Sequence, residues 1–152
     1  MDEIIITTMT SIDIPEVFDI EKLSFSTPWS RETLIYEVEK NLFAKYVVAK
    51  IDDIVVGYGG MWMIIDEAHI TNIAVHPEYR GIHVGDEILK ALIDKSQDIG
   101  VYAMTLEVRK TNIVAQNLYR KYGFEFAGVR SKYYADNNED AIIMWKNGIK
   151  ID

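Results

Sequence analysis

Residues 71–86 read Thr-Asn-Ile-Ala-Val-His-Pro-Glu-Tyr-Arg-Gly-Ile-His-Val-Gly-Asp, and the order of residue types in them decides the fold. Ala68 to Val75 is rich in β-branched residues and predicts a strand. Pro77 stops it, because proline gives the ladder no donor and pushes the residue before it into extended conformation. Past Gly85 the period changes. Ile88, Leu89, Leu92 and Ile99 fall at the spacing of one buried helical stripe, and Gly100 is placed to end that helix. The glycine-bearing turn between strand and helix aims several backbone N–H groups at one spot in front of a positive helix terminus, as phosphate-holding turns do. It is neither a Walker loop nor the G-x-G-x-x-G fingerprint, and taken alone it reads most simply as an ordinary strand-to-helix connection.

Upstream, Tyr46 to Ile51 and Ile54 to Ile65 precede that strand. The turns Asp52-Asp53 and Asp66-Glu67 make the three an antiparallel run. Further back, Glu3 to Thr8 predicts a first strand. Ser11 caps a helix to about Leu23 with Pro15 in its first turn, and Ser30 caps a second with Leu34, Ile35 and Val38 on its apolar side. Downstream, Met104, Leu106 and Val108 alternate with Thr105, Glu107 and Arg109 as a strand. Asn112 to Tyr122 is a helix closed by Gly123, and Phe124 to Tyr134 and Ala141 to Trp145 form a last hairpin around Asp136-Asn137-Asn138. The result is a mixed α/β (α+β) layout, a largely antiparallel central sheet flanked by helices.

The 152 residues carry 16 Lys and Arg against 24 Asp and Glu, a formal charge of −8. No linker, repeat or low-complexity tract divides them, so residues 1–152 read as a single domain. The absence of cysteine excludes a disulfide scaffold, a thiolate metal site and a cysteine nucleophile. The longest charge-free stretch, Ile54 to Ile65, is too short for the roughly 20 apolar residues of a membrane span, and Met1-Asp2-Glu3 lacks the basic start of a signal peptide. The expectation is a cytoplasmic protein that binds neither membrane nor nucleic acid directly, its negative field suiting a cationic ligand. Nothing in the sequence fixes the oligomeric state.

Read with its neighbours, the turn Arg80-Gly81-Ile82-His83-Val84-Gly85 resembles the R/Q-x-x-G-x-G/A signature of the GNAT N-acetyltransferases, and Thr71 to Val75 is similar to the strand that precedes it there. Leu106-Glu107-Val108-Arg109 with Asn112 and Leu118-Tyr119, Arg130 to Tyr134 with Glu139 to Met144, and Thr27-Pro28-Trp29-Ser30 resemble the RimI type of that family, which acetylates protein N-termini. The resemblance covers nearly the whole chain and implies a GNAT-like fold with acetyl-CoA as cosubstrate. It implies as acceptor a protein N-terminus, that of a small-subunit ribosomal protein beginning with alanine.

The resemblance further implies a cofactor site of Ile73, Ala74, Val75, Arg80, Gly81, Ile82, His83, Val84, Gly85, Asp86 and Asn112, with backbone N–H near Val75 polarising the thioester carbonyl. It makes Glu107 a general base, acting directly or through water, and Tyr119 the acid that protonates the departing thiolate. One departure stands out: His83 occupies a position where the family usually carries glycine or alanine. Asn112 and Tyr119 are seven apart on one helix, so two turns bring them onto one face about 10.5 Å apart. A modest base suffices for an N-terminal acceptor, since about one α-amine in seven is neutral at pH 7 against about one lysine in two thousand.

Each candidate has a simpler reading: Tyr119 as a core aromatic with its hydroxyl in water, Glu107 as a solvated glutamate paired with Arg109. Trp29, Tyr133 and Tyr134 are candidates to line a peptide groove as rigid amphipathic contacts. His69, His76 and His83 are spaced by seven, but strand parity sets the first two on opposite faces and no metal site is expected. The acidic run Asp136 to Asp140 reads as a solvated turn.

Overall fold

The computed structural model describes residues 3–149. Strand β1 (Ile5–Thr8) is followed by a 3-10 turn (Ser11–Asp13), α1 (Ile14–Ser24) and α2 (Arg31–Glu39). Next come β2 (Ala44–Ile51), β3 (Ile54–Ile64), β4 (Glu67–Val75), a 3-10 turn (Pro77–Tyr79), α3 (Val84–Ile99) and β5 (Ala103–Arg109). The chain ends with α4 (Ile113–Lys121), β6 (Glu125–Tyr134) and β7 (Glu139–Asn147). The seven strands form one sheet in the order β1-β2-β3-β4-β5-β7-β6, with every neighbouring pair antiparallel except β4 and β5.

Two apolar layers sandwich this sheet. On one face Ile88, Leu89 and Leu92 of α3 pack on Val47, Val56, Met104 and Leu106; on the other, Val17, Ile20 and Leu34 of α1 and α2 pack on Val48, Val55 and Tyr58. Helix α3 lies so close to β3 that a Cβ on Gly59 would sit 2.5 Å from Ile88 Cγ2. Only a residue without a side chain admits that approach.

Several sequence expectations shift. Asp52 and Asp53 both take positive φ, the signature of a two-residue hairpin turn. The next turn is Ile65-Asp66, one residue earlier than expected, because a bulge leaves Thr71 of β4 without a partner and moves the register. That bulge also resets the side-chain alternation, so parity no longer separates His69 from His76. The first cap is Thr10, not Ser11: its backbone N–H donates to Asp13 Oδ2 at 2.9 Å. Ser30 caps α2 as expected, accepting from the Thr33 N–H at 3.1 Å.

Two expected core positions face water. Ile99 is 47% exposed, because it lies in the last turn before the left-handed Gly100 and the stripe is completed by Ile93 and Ser96 instead. Ile35 is exposed too, while Glu37 is buried in its place. That carboxylate accepts from Tyr46 Oη (2.6 Å), Trp62 Nε1 (2.6 Å) and Asn41 Nδ2 (2.7 Å), so its burial is compensated.

Candidate active site

Strands β4 and β5 are paired only over Glu67–His69 and Ala103–Thr105. Beyond these they diverge, and a slot opens between them through the sheet. In β4 the His76 N–H donates to Val56 O, so alternation turns the N–H groups of Ile73 and Val75 away from β3 and toward the slot. These donors lie where a carbonyl oxygen could be polarised.

Two cavities meet in the slot. One, of about 660 Å³, is lined by Ile73, Ala74, Val75, Arg80, Gly81, His83, Val84, Gly85 and Asp86, with Asn112 and Tyr119 across from them. The other, of about 490 Å³, is lined by Trp29, Glu107, Tyr133 and Tyr134 with Glu21, Trp62 and His69. Ser24, Phe25, Ile73, Asn112, Ala115 and Tyr119 line both and mark the junction. Of the expected site residues, only Ile82 lines neither cavity; it is exposed on the outside of the turn.

The first cavity is bounded by the turn that leads into α3. Gly81 has φ +81° and His83 φ +72°, a succession that folds the turn beneath the α3 N-terminus, whose first N–H groups have no partner within the helix. At Gly85 an added Cβ would meet Leu118 at 3.4 Å, an ordinary contact, so space there admits a small side chain. The Asp86 carboxylate is drawn sideways to Lys121 Nζ (2.5 Å) and Tyr122 Oη (3.0 Å), which, with burial opposing, hold it below its ordinary value. Asn112 Oδ1 is committed to capping α4, accepting the Ala115 N–H at 3.1 Å.

In the second cavity Glu107 points to the α1 and α2 face, opposite Met104, Leu106 and Val108, as its strand parity requires. It is neither solvated nor paired with Arg109. Its Oε2 lies 2.5 Å from His69 Nε2 and its Oε1 3.2 Å from Arg130 Nε. The hydrogen bond from His69 is the strongest influence on it. Assisted by the charges of His69 and Arg130 and opposed by burial, it holds the carboxyl below the usual range.

Tyr119 packs its ring edge-on against Phe124, with ring centres 5.8 Å apart, and lines both cavities where they meet. Burial, with Tyr134 nearby, pushes its ionisation upward, so the phenol keeps its proton. Burial likewise pushes Tyr134 up to about 12.

The acidic turn is exposed at Asp136 to Asn138, as expected of a solvated turn, and it is also a staple. Asp136 and Glu139 hold Arg109 at 3.0 and 3.2 Å, Glu139 also accepts from the Thr111 N–H and hydroxyl, and Arg109 stacks 4.0 Å over Tyr134. Sequence reasoning missed Glu21, His69 and Arg130. Glu21 is a buried carboxylate of α1 that accepts from the Trp29 N–H (2.8 Å) and Tyr58 Oη, and burial raises its pKa against the pull of Trp29 and Asn72. Only the pairing of β4 with β5 brings His69 to Glu107, a contact that no local spacing foretells. His76 is committed elsewhere, accepting the Glu78 N–H, and no metal-binding cluster occurs among the described residues.

Residues 14–124 match the acetyltransferase (GNAT) family. A Salmonella typhimurium ribosomal protein bS18-alanine N-acetyltransferase is 35% identical over 143 residues, 91% of this chain and 94% of that protein. A Bacillus subtilis protein whose name proposes the same activity is 41% identical over 133 residues, 88% of each. The crystal structure of the Escherichia coli enzyme of that activity superposes with a TM-score of 0.88 at 31% identity, covering 99% of this chain and 96% of that one. A sheet opened between β4 and β5, a glycine turn leading into α3 and these relationships agree: the chain belongs to the GNAT family of acetyltransferases and uses acetyl-CoA as its acyl donor.

Proposed function

We propose that this enzyme acetylates the N-terminal α-amine of an alanine-initiated ribosomal protein, the counterpart of bS18, by direct attack in a ternary complex. The observation that carries the reading is the second cavity. It offers an acceptor one inward-facing carboxylate, Glu107, and a wall of Trp29, Tyr133 and Tyr134, and it meets the first cavity at Tyr119. The names of the relatives point to the same acceptor.

Acetyl-CoA supplies an activated thioester carbonyl. The backbone N–H groups of Gly81 to Asp86 hold its diphosphate, and those of Ile73 and Val75 receive the charge that develops on the carbonyl oxygen. Glu107 is the carboxylate toward which the amine's proton is drawn, and Tyr119 donates its phenolic proton to the leaving sulfur. The sequence has no cysteine to carry an acyl intermediate. A ribosomal acceptor places the work in the cytoplasm, and no helix among the described residues is long and apolar enough to cross a membrane.

The test is incubation with acetyl-CoA and a basic peptide beginning with alanine, followed by mass and thiol release. One acetyl group on the α-amine is expected, with none on the same peptide blocked at its N-terminus. Acetylation of the blocked peptide's lysines, or of small amines alone, would favour the broader amine reading. Binding of acetyl-CoA without turnover on any amine would favour a sensor. Glu107→Gln is expected to lower kcat while leaving acetyl-CoA affinity in place.

A further inference from the structure

We infer that His69 is the group that takes the proton from the acceptor amine, with Glu107 fixing its tautomer and orientation. The inference rests on the reading of the second cavity as the amine site and names the carrier that stands between the amine and Glu107.

Both oxygens of Glu107 are already engaged. Oε1 receives Arg130 Nε at 3.2 Å, and Oε2 faces His69 Nε2 at 2.5 Å. A carboxylate so engaged accepts, so Nε2 is the nitrogen that donates to it, and in the neutral imidazole Nδ1 is the lone-pair nitrogen. Nδ1 has no hydrogen-bond partner among the described residues. Accessibility points the same way: the His69 side chain is 27% exposed and that of Glu107 only 9%, so a ligand entering the cavity meets the imidazole first. The arrangement is the base and orienting carboxylate of a catalytic triad, here with the substrate's own nitrogen as nucleophile.

The groups around the imidazole support this role. β5 supplies Glu107. β6 supplies Arg130, and also Tyr133, whose ring lies 5.9 Å from the Arg130 guanidinium. From β3 the neighbour is Trp62, whose indole N–H is committed to Glu37 of α2. An imidazolium formed here rests against the Glu107 charge.

The proton balance closes. The ammonium N–H bond breaks and an Nδ1–H bond forms, giving imidazolium and a neutral amine. The amine attacks the thioester carbon and the C–S bond breaks, with Tyr119 protonating the sulfur. The second N–H proton, lost as the amide forms, restores Tyr119, and the imidazolium returns its proton to water after product leaves.

The experiment compares wild type with His69→Gln, whose amide can still donate to Glu107 but accepts no proton, and with His69→Ala. At pH 7, His69→Gln is expected to lose about 100-fold in kcat on the alanine peptide, with acetyl-CoA affinity unchanged. The deficit should shrink toward pH 9, where the α-amine is already neutral. Added imidazole should restore part of the activity of His69→Ala, a response that a merely structural residue would not give. A kcat within threefold of wild type from pH 6 to 9, or a deficit independent of pH and unmoved by imidazole, would overturn the inference and leave Glu107 as the proton acceptor. A wild-type protein inert on the peptide would instead overturn the functional reading.

Discussion

Replacing His83 by glycine tests the phosphate turn from two sides at once. His83 has φ +72° and ψ 20°, in the left-handed region, where a side chain costs about 1–2 kcal/mol. Its imidazole is 73% exposed and lies 3.4 Å from Asp86 Oδ2, too long and too wet to offset that cost. Glycine relieves the strain but loosens the unfolded chain, returning about 0.4–1 kcal/mol. The net is a stabilisation of about 0–1.6 kcal/mol with a midpoint of about 0.8, which for a chain of this size raises Tm by about 2–3 °C. If backbone N–H groups hold the diphosphate, acetyl-CoA affinity stays within a few-fold of wild type at both pH 6 and pH 8. The measurements are thermal melts and acetyl-CoA titrations of both proteins at the two pH values. A lowered Tm would refute the strain argument. Binding more than about tenfold weaker at pH 6, or 1.4 kcal/mol, would show that a histidine cation grips the phosphate instead.

Tyr119→Phe is expected to lower kcat about 100-fold with little change in KM for acetyl-CoA or in Tm, because the hydroxyl has no hydrogen-bond partner among the described residues; an unchanged kcat would remove its role as acid. Gly59→Val forces a side chain into Ile88 and should destabilise by about 1–3 kcal/mol, read as a lower urea midpoint. The Thr111 hydroxyl and N–H, with Arg109, hold Glu139 down to about 2 from an ordinary 4.5. Its contribution is therefore complete above about pH 4.5 and lost as pH falls toward 2. Urea melts should show Glu139→Gln destabilised at pH 6 and converging on wild type at lower pH. Acetyl-CoA and CoA should raise Tm almost equally, since the diphosphate turn contacts what they share, and no response to either would contradict the family assignment.

The elements that declare themselves locally were legible: Ser30 as a cap, Asp52-Asp53 as a turn, and Glu107 on the polar side of its strand. What failed depended on partners far along the chain. Nothing local marks Glu37 and Glu21 as buried, because periodicity counts carboxylates as polar, and only Tyr46, Trp62, Tyr58 and the Trp29 N–H compensate their burial. The turn from Arg80 to Gly85 and Tyr119 are singled out by resemblance more than by spacing, and the cavities that they line lie side by side. His69 was weighed only as a metal ligand, because a register between strands 38 residues apart is invisible in a linear pattern. The bulge at Thr71 defeated a parity argument that would have held on a regular strand.

The shortness of the β4–β5 ladder has a mechanical consequence. Everything from β1 to β4 comes from residues before 76 and everything from β5 to β7 from residues after 102. The sheet is thus two plates, each woven from its own length of chain and stitched to the other over three residues at one end. Beyond that stitching the two plates share no backbone ladder and are held together by side chains alone, α3 lying across both with Ile88, Leu89 and Leu92. A ligand along the open edge supplies the polar backbone partners that the missing ladder leaves unclaimed.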